Sequence, residues 1–329
     1  MILAPFMNNR SVAFPASLTA LAAAWLGPVP PRDGGHAVPR MEQDLARRTG
    51  SRHAIGFATG REALVALLEA LALPAGSGIL VPAFTCPAVF AAVEHLGHRP
   101  VPYDVEPRTL GPDARDAARR ITPAVRAFIV HHLLGRPAAQ AAACARLAAR
   151  AGLVLIEDCA QVPPDRQTGR LGAAALYSFE STKPVPAIRG GAVTTRRAVL
   201  ARRVRAIRNR WPEPDSRWTA GVLAEVFARR ALTEDSRRWM TPALARLIAD
   251  HRLLPAGRLV PAVGRRMPPA LAALVLHQLR DTRQMAPRYR ARFREARPFG
   301  PPPASLARAL LTLPVAARAW SGRARALVS

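Results

Sequence analysis

The chain has 329 residues, half of them hydrophobic, which is enough to bury one large core and a smaller second unit. Its formal net charge is +26, but the arginines are spread along the chain and no zinc-finger or RNA-binding spacing occurs, so they read as surface cations and no nucleic-acid partner is expected. The three cysteines, Cys86, Cys144 and Cys159, form no paired framework, which points to a reducing, cytoplasmic setting; no metal site is expected.

Residues 11–27 are apolar, but Pro15 interrupts them and no basic cluster precedes them. They read as a buried N-terminal segment and not as a leader. No run of 18 apolar residues without charge is present, so no membrane-spanning helix is expected.

From about residue 50 to 210, short apolar runs alternate with helix-like stretches. The predicted strands are 78–81, 100–104, 126–131, 153–157, 174–179 and 191–195. The predicted helices are 61–73, 87–96, 138–151 and 196–208. Strands alternating with helices imply a mostly parallel, buried sheet flanked by helices. Ligands of such sheets bind at the carboxyl ends of the strands.

Residues 211–262 change character, with tryptophans, arginines and amphipathic stretches such as GVLAEVFARRAL. A packed helical insertion is expected there; a dimer contact and a membrane-surface helix are the other readings. A long helix is expected from residue 268 to about 296, where LAALVLHQL places its apolar residues on one face. Residues 301–329 bring a proline run, then SLARALLTLPV and a basic end.

Four segments fall at predicted strand ends. In FATGREAL, Thr59 and Gly60 precede a helix, whose leading amides form a phosphate site; ordinary capping is the alternative. In LVLIEDCAQ, Glu157 and Asp158 end a strand and Gln161 follows. A carboxylate here either pairs with a protonated ring nitrogen or caps the turn. In ALYSFESTKP, Ser178 ends a strand and Lys183 lies five residues on. In RGGAVTT, a glycine pair opens the next strand and reads as a tight turn.

Lys183 is the one lysine among 48 basic residues. Arginine and lysine exchange freely on a solvated surface, but a guanidinium cannot act as an amine nucleophile. A lysine amine can lose its proton and condense with an aldehyde.

Taken in order, these motifs resemble the DegT/DnrJ/StrS family of sugar aminotransferases. ATGREAL is similar to that family's SGTAAL, and ILVPAFTCPAV to its strand with P-S-F-T. VHHLLGRPA resembles VHLYGQPAD, and IEDCAQ resembles IEDAAQ. LYSFESTKPVPAIRGGAVTT resembles S-F-x-x-x-K followed by GGAVVT. The resemblance implies an α/β fold of the type I class of pyridoxal-phosphate enzymes, with a large cofactor domain reaching to residue 210, a helical insertion over 211–262, and a smaller C-terminal domain over 263–329 that is present only at its start.

It also implies roles. Lys183 matches the Schiff-base lysine and is the expected catalytic residue. Asp158 matches the acid paired with the pyridine nitrogen, and Gln161 a residue beside the ring. Ser178, Thr59 and Gly60 match the phosphate ligands. Cys86 stands where an aromatic often covers the ring. The expected cofactor is pyridoxal 5'-phosphate. The expected partners are an amino donor such as glutamate, a nucleotide-linked keto sugar, and a second copy of the chain in a homodimer. Two further departures are visible: Gly264 in place of an Asn that serves the neighbouring subunit, and Arg189 in place of the Glu of G-E-G-G. A relative that keeps the fold without full activity is the alternative reading.

Overall fold

The computed structural model describes residues 36–106, 109–180, 183–187, 189–215, 218, 264–280 and 287. The expected N-terminal segment lies outside them, as do most of the expected insertion and of the C-terminal domain.

Seven strands form one sheet: β1 (His53–Phe57), β2 (Gly78–Pro82), β3 (Arg99–Tyr103), β4 (Val125–His131), β5 (Val154–Asp158), β6 (Ala174–Ser178) and β7 (Gly191–Thr195). Their order is β1-β7-β6-β5-β4-β2-β3. β7 runs antiparallel to both its neighbours, and every other pairing is parallel. Central strands of such a sheet are covered on both faces, and all five residues of β2 and of β7 are buried.

The helices are α1 (Ala37–Thr49), α2 (Gly60–Ala70), α3 (Pro87–His95), α4 (Ala114–Arg119), α5 (Ala141–Arg150) and α6 (Ala198–Arg210); residues 269–280 are also helical. One sheet face packs Ile79, Val81, Ile129, Ile156, Leu176 and Val193 against α2, α3 and α6. On the other face, α4 and α5 pack around Leu80, Phe128, Val130 and Leu155. Beside them α1 and residues 267–279 cover Ala175, Tyr177 and Ala192.

Local chemistry explains the boundaries. Thr59 is extended and its hydroxyl accepts the Glu62 amide at 3.2 Å, which starts α2. Asp113 caps α4 by accepting the amides of Arg115 and Asp116. Gly50, in the left-handed region at φ +67°, ends α1 behind Arg47 and Arg48.

The six strands and four helices expected between residues 61 and 208 are all present, shifted by no more than about three residues. Three elements were not anticipated: β1, α1 and α4. Of the long helix expected from 268, the described part is helical.

Candidate active site

Strand alternation builds the site. Ile129, Ile156 and Leu176 belong to the core under α2, so residues two further along each strand, His131, Asp158 and Ser178, project on that same face at the strands' carboxyl ends. Asp158 is paired in register with His131 on β4 and with Leu176 on β6.

The same alternation separates the two consecutive carboxylates. Glu157 faces the other way, 1% exposed, and is fully engaged. One oxygen accepts the amides of Leu171 at 2.6 Å and Gly172 at 2.8 Å; the other accepts the Gly169 amide at 3.0 Å and His132 Nε2 at 3.1 Å. His132 Nδ1 accepts the Ala138 amide at 3.0 Å, so Nε2 carries the proton it donates. Burial opposes ionisation of Glu157, but these bonds outweigh it and hold the carboxyl below its ordinary pKa. Asp158 Oδ1 accepts the Ala160 amide at 3.0 Å, a turn-capping bond. Its Oδ2 has no hydrogen-bond donor among the described residues.

The turn before α2 is pressed against β6 and β7. Thr59 forms a parallel bridge with Gly190. A Cβ on Gly191 would lie 2.4 Å from Gly60 Cα and 2.5 Å from Gly60 N, and a Cβ on Gly60 would lie 3.0 Å from Ser178 Oγ. The glycine pair expected as a tight turn is one, with Gly190 at φ +116°, but Gly191 has a second task. It lets β7 pass directly beneath the start of α2, which brings Thr59, Gly60 and Ser178 together.

Lys183 is half-buried in the turn that follows β6, its amide bonded to the Glu180 carbonyl at 2.9 Å. Gln161 lies in the turn after β5, where its carbonyl accepts the Gly135 amide at 2.9 Å. Cys86 is exposed as the residue before α3. Charges of both signs surround the α2 turn: burial lowers the Arg61 pKa first and Arg189 adds to this, while Cys86, Glu62 and Glu180 act in the opposite direction. A guanidinium remains charged under such pressure, so Arg61 and Arg189 raise the positive potential where the leading amides of α2 already favour an anion.

Gly264 is not part of this cluster. A Cβ there would lie 2.0 Å from Trp211 Cδ2, so the indole occupies the space of any side chain at 264. Trp211 also packs edge-on against Phe57, with ring centroids 5.7 Å apart. Residues 264–267 follow the end of β1 through the bridge of Phe57 with Arg266.

With this geometry, the class is that of the pyridoxal-phosphate aminotransferase fold. A profile of the DegT/DnrJ/EryC1/StrS aminotransferase family matches residues 31–299, and the chain belongs to that family. It is similar to a pleiotropic regulatory protein of Geobacillus stearothermophilus, 34% identical over 185 residues that cover 55% of this chain and 50% of the relative. It is 36% identical over 174 residues to a UDP-N-acetyl-3-dehydro-alpha-D-glucosamine 3-aminotransferase of Acidithiobacillus ferrooxidans, covering 51% of this chain and 47% of that one. Among solved structures it resembles DesI in the presence of its TDP-sugar product, with TM-score 0.56 and 28% identity, covering 76% of this chain and 54% of that chain. The chain thus spans about half the length of the curated relatives it matches.

Proposed function

We propose that the chain is a pyridoxal-phosphate aminotransferase that moves an amino group from an amino acid, with glutamate as the expected donor, to a keto sugar carried on a nucleotide. The reading is carried by Gly60 standing against Ser178, by Asp158 on the same sheet face through strand alternation, and by Lys183, the chain's one lysine, five residues after Ser178. The residues suit the cofactor: with no Cβ on Gly60 or Gly191, the start of α2 lies against Ser178, so leading amides and a hydroxyl stand together where a phosphate would bind. When bound, pyridoxal phosphate supplies an aldehyde for imine formation and a ring that accepts electrons.

The chain's own residues then divide the work. The α2 amides and the Ser178 hydroxyl bind the phosphate, helped by the field of Arg61 and Arg189. Asp158 Oδ2 accepts the ring N–H and keeps the nitrogen protonated. The Lys183 amine would hold the aldehyde and, when free, would serve as general acid and base at the substrate carbon. Gln161 flanks the ring, and Cys86 stands at its outer side with less apolar cover than an aromatic would give. The fold's relatives whose names specify sugar substrates support the acceptor class. The active form is a homodimer in the cytoplasm.

The test is the half-reaction with L-glutamate, followed by visible absorption. Asp158→Asn should still bind cofactor yet convert it slower by on the order of 100-fold, because the ring nitrogen would lose the carboxylate that keeps it protonated and able to draw electrons. Near-normal conversion would assign that role to another group. A second reading, a fold relative without turnover, is favoured by the Trp211 ring at Gly264. It predicts cofactor binding with no conversion by any donor.

A further inference from the structure

The end of β4 carries a polar atom that the reading above does not use. His131 is 1% exposed. Its Nε2 lies 3.0 Å from the Leu110 carbonyl oxygen. A carbonyl only accepts, so Nε2 holds the proton. Burial keeps the imidazole pKa below its ordinary value, against the opposing influence of the Leu110 carbonyl and Asp158. With Nε2 donating to that carbonyl, a neutral ring carries its lone pair on Nδ1. That atom is buried and has no hydrogen-bond partner among the described residues.

The bond that fixes this tautomer comes from a loop built to deliver it. Leu110 sits at φ +55°, in the left-handed region that non-glycine residues seldom adopt. The loop is pinned by the Leu110 amide to the Glu106 carbonyl at 2.7 Å, by the Glu106 amide to the Gly111 carbonyl at 2.9 Å, and by a bridge between Val105 and Pro112. His131 and Asp158 are register partners on adjacent parallel strands, roughly 4.8 Å apart along the hydrogen-bonding direction, and share a face. His132 is spent on Glu157 on the opposite face.

We propose that His131 is a positioning residue for Asp158: held at Nε2 by the Leu110 carbonyl, it turns its Nδ1 lone pair on the Asp158 carboxylate and strengthens that carboxylate's hold on a protonated ring nitrogen. The inference rests on the reading of Asp158 as the partner of the cofactor ring. Two acceptors side by side repel, and a positively charged N–H between ring and carboxylate relieves both. His131 gives up and receives no proton in this arrangement.

Two measurements decide it. In the first, long-range 1H–15N spectra are recorded on cofactor-free protein labelled with 15N-histidine, with His131 assigned by its loss in His131→Leu. The expected result is a neutral ring protonated at Nε2, whose Nδ1 resonance shifts in Asp158→Asn because the new amide can donate to it. An imidazolium, an Nδ1–H tautomer or an unmoved Nδ1 overturns the pairing. In the second, pyridoxal phosphate labelled with 15N in the ring is loaded on wild type, His131→Leu and His131→Gln. The ring nitrogen should be protonated in wild type, lose protonated fraction in His131→Leu, and regain it in His131→Gln, whose amide offers both a donor for Leu110 and an acceptor oxygen. The same ring frequency in wild type and His131→Leu overturns the proposal. Failure of wild type to load overturns the cofactor reading and the purpose of the pair with it, whereas a negative first measurement with normal loading overturns the pairing alone.

Discussion

Glu157 and Asp158 are neighbours in sequence with opposite fates, because a strand turns successive side chains to opposite faces. Glu157 takes four donors and holds the loop around Gly169 to Gly172 in place; Asp158 accepts one amide at Oδ1, and its Oδ2 takes no hydrogen bond among the described residues. A third carboxylate, Glu62, lies in the first turn of α2, 1% exposed, with Arg265 Nη1 at 3.6 Å and no hydrogen bond to either oxygen among the described residues. Burial raises its pKa from 4.5 to about 7, against smaller opposing influences of Thr59 and Arg265. A folded-state pKa above the unfolded one means that the neutral carboxyl's contribution is fully present below pH 4.5 and is lost as pH rises towards 7. Glu62→Gln should therefore gain about 3 kcal/mol over wild type at pH 8 and close to nothing at pH 4.5. Urea unfolding at the two pH values checks this, and equal gains at both would contradict it.

At the scale of elements, the central strands and their helices were legible because apolar runs and helical periodicity are local signals. β1 was not: HAIGF is five residues with a glycine in fourth place, and its only strand partner among the described residues is β7, about 140 residues later. α1 carries a proline in its first turn and a largely polar sequence, and Met41 and Leu45 hold it against β1 and β7. Such elements are settled by tertiary burial, which periodicity does not report. The site was legible as a set of motifs, and the assignment between Glu157 and Asp158 was open to strand parity. What the sequence did not disclose is how the segments meet. Gly191 looks like turn chemistry, yet its lack of Cβ is needed by the backbone of Gly60 on another element. Gly264 looks like the loss of a functional Asn, yet its lack of a side chain makes room for Trp211. Gly191→Ala should destabilise the fold by roughly 1–3 kcal/mol, the cost of overpacking against atoms that cannot move aside, and should weaken cofactor retention by displacing the α2 turn. Thermal unfolding of the cofactor-free protein and dialysis of the loaded one measure the two effects. Unchanged values in both would mean that the turn tolerates displacement.

At the scale of the whole molecule, no helix of the described residues is long and apolar enough to cross a membrane. Family membership groups the chain with relatives named as sugar aminotransferases and with one named for regulation, so assembly and chemistry must be measured on this chain. A homodimer is expected, and a cofactor that binds the assembled state better should raise its stability. Sedimentation with and without pyridoxal phosphate tests this; a monomer in both samples would remove the shared site. The central claim, that Lys183 holds the cofactor, has a more direct test. The loaded protein is reduced with borohydride, digested and mapped. The account predicts the reduced cofactor on the peptide that contains Lys183, and neither label nor visible absorption in a folded Lys183→Ala variant, since the chain has no other lysine. Label on a different peptide, or visible absorption that survives in Lys183→Ala, would contradict it.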